Sequence, residues 1–86
     1  MLDADKLRER IRAALPGAEV KVVDLKGTGD HFEARVVSAA FEGRSMIDRH
    51  RLVYAPLQHW LDSGELHALT LQTYTPEQWE KLGGSR

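Results

Sequence analysis

The stretch that decides the fold is AEVKVVDL-KGTGD-HFEARVVS, residues 18–38. Both of its outer segments alternate apolar and polar side chains, a pattern typical of strands that bury one face. The five residues between them, 26–30, include two glycines and an aspartate, which predict a turn. The stretch therefore predicts an antiparallel hairpin with strands at 18–25 and 31–38.

A helix is predicted before the hairpin, at residues 3–15, where apolar side chains recur at helical spacing. Asp3 suits the N-cap position, and Leu2 and Leu7 stand where a hydrophobic staple would lie. Pro16 and the glycine after it end this helix.

The region after the hairpin also has a helical period, but it contains a proline. Because proline is excluded from a helix interior and suits a first turn, Pro56 divides the region. We expect a helix near 44–54 and a second one from Pro56 to Ser63. The apolar stripe that predicts them consists of Met46, Ile47, His50, Val53, Tyr54 and Leu57.

The C-terminal part predicts a third strand at 66–74 and a short final helix. Thr75, Pro76 and Gln78 have the spacing of a capping box, and Tyr74 and Trp79 stand at the positions of a staple. The order α-β-β-α-α-β-α indicates an α+β fold. A crossover of about 28 residues permits strands two and three to be parallel, so we expect a three-stranded mixed sheet with the helices on one face.

Composition limits the function classes. The 86 residues predict a single domain, 1–82, with a flexible tail at 83–86. No cysteine is present, so the chain forms no disulfide and cannot alone host a thiolate-ligated metal cluster. A net charge of −1 provides no overall basic field for nucleic acid. The chain has no apolar run of membrane-spanning length and no signal-peptide core, so we expect a cytoplasmic protein without a membrane partner.

Two histidines occupy strand starts. If strands two and three are parallel neighbours, His31 and His67 lie at the same end of the sheet, and adjacent strands are roughly 4.8 Å apart. Two imidazoles there are able to approach one ligand. Strand parity, however, points them to opposite faces, and a lone strand-end histidine is more often a surface or hydrogen-bonded residue. For His59, beside Trp60, a solvent-facing position is the better interpretation.

No catalytic constellation is evident. The chain has no cysteine nucleophile, no GxSxG and no HExxH motif. Asp30 and His31 are neighbours, but consecutive strand residues point to opposite faces, so we do not expect them to pair. The sequence therefore predicts that the protein is not an enzyme.

An ordered set of motifs resembles the BolA family. The set runs from Phe-x-Gly (41–43) through Arg-His-Arg (49–51) and Val-Tyr (53–54) to His-Ala-Leu (67–69) and Thr-Pro-Glu-x-Trp (75–79). The resemblance spans roughly residues 3 to 80. It implies a class II KH-like fold. It also implies a monothiol glutaredoxin partner with a CGFS active site, a shared bridging [2Fe-2S] cluster, and work in iron–sulfur cluster assembly, trafficking or iron sensing.

The resemblance also implies a ligand set. His67 matches the C-terminal histidine of the family, and His31 is the candidate for the second ligand. The match of His31 is looser, because members with a cysteine carry it nearer to Thr28. A partner cysteine and a glutathione thiolate would complete the four ligands of the cluster. Because only a neutral imidazole binds metal, cluster binding should weaken at acidic pH.

Arginines around His50 have two interpretations. Under the first, Arg44, Arg49, His50 and Arg51 contact the glutaredoxin or the carboxylates of glutathione, for which the arginine fork is suited. Under the second, His50 is half-buried and hydrogen-bonded while Arg49 and Arg51 lie in water.

DNA binding is the alternative function, since the family also suggests a transcription regulator that uses the helix-turn-helix-like region 44–62. It is opposed by the net charge and by the lack of the GxxG loop with which KH domains clamp a backbone. The sequence does not decide whether the chain forms a homodimer.

Overall fold

The computed structural model describes residues 2–27 and 29–83 and confirms the predicted order of elements. The predicted tail beyond residue 83 lies outside the described residues. Within these ranges, no helix has the length and apolar character needed to cross a membrane. The elements are α1 (Ala4–Ala14), β1 (Glu19–Asp24), β2 (His31–Val37), α2 (Met46–Tyr54), α3 (Gln58–Ser63), β3 (Ala68–Tyr74) and α4 (Pro76–Lys81).

The three strands form one mixed sheet in the order β1-β2-β3. β1 runs antiparallel to β2, with Val22 opposite Ala34, and β2 runs parallel to β3, with His31 opposite Ala68. Both strand relations agree with the sequence prediction. The parallel pairing brings the first residues of β2 and β3 to the same edge of the sheet.

The core lies between the helices and one face of the sheet. Phe32, Ala34 and Val36 point from β2 into this layer and are fully buried. They pack in one cluster with apolar side chains from α1, from α2 and from the turn before α3, chiefly Leu7, Ile11, Val53 and Leu57. Each such large side chain contributes roughly 1.5–3 kcal/mol through burial. This layer holds β2 rigidly and with it the start of the strand.

Helix ends follow the predicted capping. The Asp3 carboxylate accepts from the Lys6 amide at 2.8 Å, and Leu2 is buried as the staple requires. At the other end of the chain, Thr75 and Gln78 form the predicted capping box.

Helix α4 departs from the prediction that all helices cover one face. Its Trp79 contacts Tyr74 at 5.4 Å between ring centroids, as the staple predicts. The indole also lies 4.4 Å from the Arg35 guanidinium. Arg35 projects from the face opposite Phe32, so α4 places an aromatic side chain on the second face of the sheet.

The buried face of α2 agrees with the prediction only in part, since Val53 of the predicted stripe is buried. Met46 and Ile47 are exposed, whereas Arg49 is only 8% exposed and is buried with Val53. The prediction that Arg49 lies in water is wrong. Its guanidinium is accommodated because Nε donates to the Arg44 carbonyl at 3.1 Å and Nη1 donates to the Gln78 side-chain oxygen at 2.9 Å.

Pro56 acts as predicted by ending α2. It lies in a single 3-10 turn, Ala55–Leu57, that leads directly into α3. Gly64 then terminates α3 in the left-handed conformation with φ of 85°.

Candidate metal centre

Three side chains meet at the edge where β2 and β3 begin. They are Asp30, His31 and His67, and each offers a ligand atom within 4.8 Å of the other two. The two imidazole rings are edge-to-face, with centroids 5.8 Å apart. The structure therefore brings together the two histidines that the sequence selected. The alternative ligand position near Thr28 lies outside the described residues.

Strand parity does not separate the two histidines. β3 begins at Ala68, so His67 is the residue before the strand and its side-chain direction is not set by the pleat. His67 is held close to β2 all the same, because its amide donates to the Asp30 carbonyl at 2.9 Å. The Ala68 amide donates to the same carbonyl at 3.2 Å.

Asp30 contacts both imidazoles. Its Oδ1 lies 2.8 Å from His31 Nδ1, and its Oδ2 lies 3.2 Å from His67 Nδ1. The prediction that Asp30 and His31 do not pair is wrong. The reason is that Asp30 lies in the bend that precedes β2, where consecutive side chains are not forced to opposite faces. Asp30 was therefore missed as a site residue, although its position beside His31 was a usable signal.

The loop that leads to Asp30 is organised by a second aspartate. The Asp24 carboxylate accepts from the amides of Lys26 at 3.3 Å, Gly27 at 2.8 Å and Gly29 at 3.0 Å. Gly27 and Gly29 both have positive φ, at 71° and 77°, which suits glycine. An aspartate that bonds to following amides is a known turn device, so this loop is shaped by its own side chain.

Helix α2 approaches the same edge through its C-terminal end. The Tyr54 hydroxyl donates to the Leu69 carbonyl at 3.2 Å, two residues after His67. His50 lies one turn earlier on α2 and its ring contacts Tyr54, with centroids 6.4 Å apart. The side chain of Arg51 is 78% exposed. His50 and Arg51 are thus the predicted contact residues nearest to the histidine edge.

Arg44 and Arg49 lie towards the opposite end of the sheet. Arg44 Nε donates to the Ala40 carbonyl at 3.0 Å, shortly after β2 has ended, and Arg49 bonds to Gln78 beyond β3. The seven residues of β2 separate this end from His31 by roughly 20 Å. The four residues predicted as one contact group therefore do not form one surface. The side chains of Arg44 and Arg49 bond towards the far end of the sheet, whereas the ring of His50, the residue after Arg49, contacts Tyr54.

The two imidazoles and the carboxylate at this edge of the sheet are a donor set for a transition metal. Two imidazoles also match the ligands that Rieske centres place on one iron of a [2Fe-2S] cluster. This edge is accessible to solvent, since the side chain of His67 is 58% exposed and that of His31 is 30% exposed.

Comparison with known proteins identifies the family. The model of the family described as BolA-like protein matches residues 11–78. The chain belongs to the BolA-like family.

Relatives of this BolA-like chain include the DNA-binding transcriptional regulator BolA of Escherichia coli, 36% identical over 89 residues. That match covers 95% of this chain and 84% of the relative. BolA-like protein 2 of mouse is 43% identical over 82 residues, and the match covers 93% of each chain. The family consists of regulators or interaction modules, which confirms the prediction that the chain is not an enzyme.

Solved structures confirm the fold. The crystal structure of a Bol-like protein from Babesia bovis matches with a TM-score of 0.84 and 33% identity. The match covers 96% of this chain and 95% of the other, so the mixed sheet and its helices are those of the BolA-like family.

Proposed function

We propose that this BolA-like chain pairs with a monothiol CGFS glutaredoxin and holds a bridging [2Fe-2S] cluster with it. His67 and His31 would be its two ligands, and the pair would act in iron–sulfur cluster assembly, trafficking or iron sensing. The observation that carries the proposal is the pair of imidazoles 5.8 Å apart at one accessible edge of a chain without cysteine.

The donor set explains why a partner is needed. A [2Fe-2S] cluster takes four ligands, usually thiolates, and this chain has no cysteine to supply one. Two imidazoles on one iron leave the second iron for two thiolates, which a glutaredoxin cysteine and a glutathione would supply. A shared cluster has to be reached from both proteins, and the exposure of His67 is consistent with that requirement.

The surface beside the histidines suits a glutathione-bearing partner. Arg51 presents an exposed guanidinium, which binds carboxylates through two parallel hydrogen bonds. Its contact with Asp48 is long, at 3.9 Å, so the pair contributes little and the guanidinium remains available. We therefore assign partner or glutathione contact first to Arg51 and His50.

Reconstitution tests the proposal. The chain is mixed with a CGFS glutaredoxin, iron, sulfide and glutathione, and the heterodimer and its visible absorption and circular dichroism spectra are recorded. His67→Ala and His31→Ala should each abolish the spectrum of the mixed complex. His59→Ala is the matched control, because His59 is an exposed histidine on α3, as predicted, and should change nothing. An unchanged spectrum with His67→Ala would falsify the ligand assignment.

DNA binding is a second candidate function, because the E. coli relative is a DNA-binding transcriptional regulator. The candidate surface is region 44–62, where Arg44 and Arg51 are exposed. Fluorescence anisotropy titrations with duplex DNA at several salt concentrations provide the test. Each phosphate contact should contribute a slope of about −0.9 in log K against log salt. Arg44→Ala and Arg51→Ala should each reduce that slope, and weak binding without salt dependence would exclude this function.

A further inference from the structure

The Asp30 carboxylate contacts both rings, with a hydrogen bond to His31 and a longer contact to His67. Each of its oxygens faces a different imidazole, Oδ1 towards His31 at 2.8 Å and Oδ2 towards His67 at 3.2 Å. In both cases the ring atom is Nδ1. The arrangement is fixed by the main chain as well, since the Asp30 carbonyl accepts from the amides of His67 and Ala68.

Hydrogen-bond chemistry then determines where the ring protons lie. An ionised carboxylate only accepts, so each Nδ1 that bonds to it has to carry the proton. In a neutral ring the other nitrogen, Nε2, is then unprotonated and has a free lone pair. One carboxylate therefore selects the same tautomer in His31 and in His67.

We propose that Asp30 is a positioning residue that holds both imidazoles in the Nδ1–H tautomer and so presents two Nε2 lone pairs together at this edge. The purpose of this arrangement rests on the proposed function, because Nε2 would be the atom that binds the cluster iron. A carboxylate bonded to the second nitrogen of a metal-binding histidine fixes ring orientation and raises ligand basicity.

Direct metal ligation by Asp30 is the competing role. Both carboxylate oxygens already face a ring nitrogen at hydrogen-bond distance, so ligation would require at least one of these contacts to break. A His-ligated iron in a [2Fe-2S] cluster also needs only two ligands from this chain. Positioning therefore accounts for the geometry without rearrangement.

The tautomers are measured in the isolated, metal-free chain. Uniformly ¹⁵N-labelled protein at about pH 8.5, where imidazole is ordinarily neutral, is examined by long-range ¹H–¹⁵N correlation of the rings. We expect protonated Nδ1 and unprotonated Nε2 in both His31 and His67, with the exposed His59 as internal reference. A ring of either residue that carries its proton mainly on Nε2 would overturn the proposal.

Substitutions sharpen the test. Asp30→Asn keeps one acceptor oxygen but replaces the other by an NH₂ donor, so one of the two rings should shift its proton from Nδ1 to Nε2. Asp30→Ala should remove the preference in both rings. Glu33→Gln is the matched control, since it removes one negative charge from β2, the strand that begins at His31, and should leave both tautomers as they are. Rings that do not respond to Asp30→Asn would contradict the proposal, and the wild-type measurement decides the matter if Asp30→Ala does not fold.

Cluster measurements separate this proposal from the proposed function. With a CGFS glutaredoxin, Asp30→Ala should retain the cluster spectrum but weaken binding by about 10–100-fold, as loss of a supporting carboxylate does elsewhere. Predicted tautomers in a wild-type chain that forms no mixed cluster would refute the proposed function and support the role of Asp30. A mixed cluster formed by a chain with Nε2–H rings would refute the role of Asp30 alone.

Discussion

Replacement of Arg49 by methionine should lower the free energy of unfolding by about 2–3 kcal/mol. Arg49 is 8% exposed and lies on the core side of α2. Its guanidinium makes two hydrogen bonds, to the Arg44 carbonyl and to the Gln78 side chain, and lies 6.0 Å from the centroid of the Phe41 ring. Methionine retains most of the apolar contact and removes both bonds together with the charge.

The magnitude follows from the terms that are lost and gained. Hydrogen bonds from a charged donor contribute about 1.5–3 kcal/mol each, so the two bonds set an upper value of about 3–6 kcal/mol. Part of this is offset, because the variant no longer buries a guanidinium. The Gln78 oxygen also keeps a donor, the Thr75 amide at 3.0 Å. The expected net loss of about 2–3 kcal/mol is a large part of the free energy of unfolding, which is roughly 4–13 kcal/mol for a domain of this size.

Urea unfolding followed by circular dichroism measures the change. With an m value of about 1 kcal/mol/M, the midpoint should fall by about 2–3 M. Arg51→Met is the matched control, because this neighbouring arginine is 78% exposed and its replacement should stay within about 0.5 kcal/mol. Equal effects of the two substitutions, or a loss below about 0.5 kcal/mol for Arg49→Met, would refute the reasoning that the guanidinium is a structural part of the core.

Three smaller effects are expected elsewhere. Gly64→Ala should cost about 1–2 kcal/mol in thermal unfolding, because φ is 85° while no described atom lies within 4 Å of an added Cβ; a much larger loss would indicate a clash that the structure does not contain. Thr75→Ala removes the hydroxyl oxygen that accepts from the Gln78 amide at 3.1 Å, and it should lower the free energy of unfolding by about 1 kcal/mol in the same assay. An unchanged melting curve would contradict this expectation. Tyr54→Phe removes the bond to the Leu69 carbonyl and should cost about 1 kcal/mol, with faster amide exchange at the start of β3; uniform exchange rates along β3 would argue against it.

The sheet was predictable because its signals are local. Alternation over 18–38 reports burial of one face, and the glycine-rich turn between the strands leaves few ways to pair them. The length of the crossover permits the parallel relation of β2 and β3. Caps are predictable for the same reason, since Thr75 and Gln78 satisfy each other within a single turn.

The buried face of α2 was predictable from periodicity only in part, since Val53 is buried as its spacing indicates. Apolar spacing selects Met46 and Ile47, both exposed, and rejects Arg49 because an isolated guanidinium is costly to bury. Arg49 is buried nevertheless because its guanidinium bonds to an acceptor on Gln78, 29 residues away. Gln78 becomes a neighbour of Arg49 only when α4 folds back. A local pattern contains no information on such a partner.

The cluster of Asp30, His31 and His67, the candidate metal centre, was predictable in part. Topology brings His31 and His67 to one edge, but the carboxylate between them was excluded by a rule for regular strands. Asp30 lies just outside the strand, where that rule no longer holds. Residues that flank strands should therefore be assessed with loop geometry rather than with strand parity.

The anchoring of His67 has an entropic consequence. Leu66, the residue before it, is 2% exposed and its amide donates to the Trp60 carbonyl at 3.1 Å, while Ala68, the residue after it, is in the sheet. Ordering the backbone of one free residue costs about 1–2 kcal/mol in conformational entropy. The backbone of His67 is already ordered in the folded chain. A ligand that bound at this edge would therefore meet two imidazoles on a backbone that is already ordered, so binding would not have to supply that ordering.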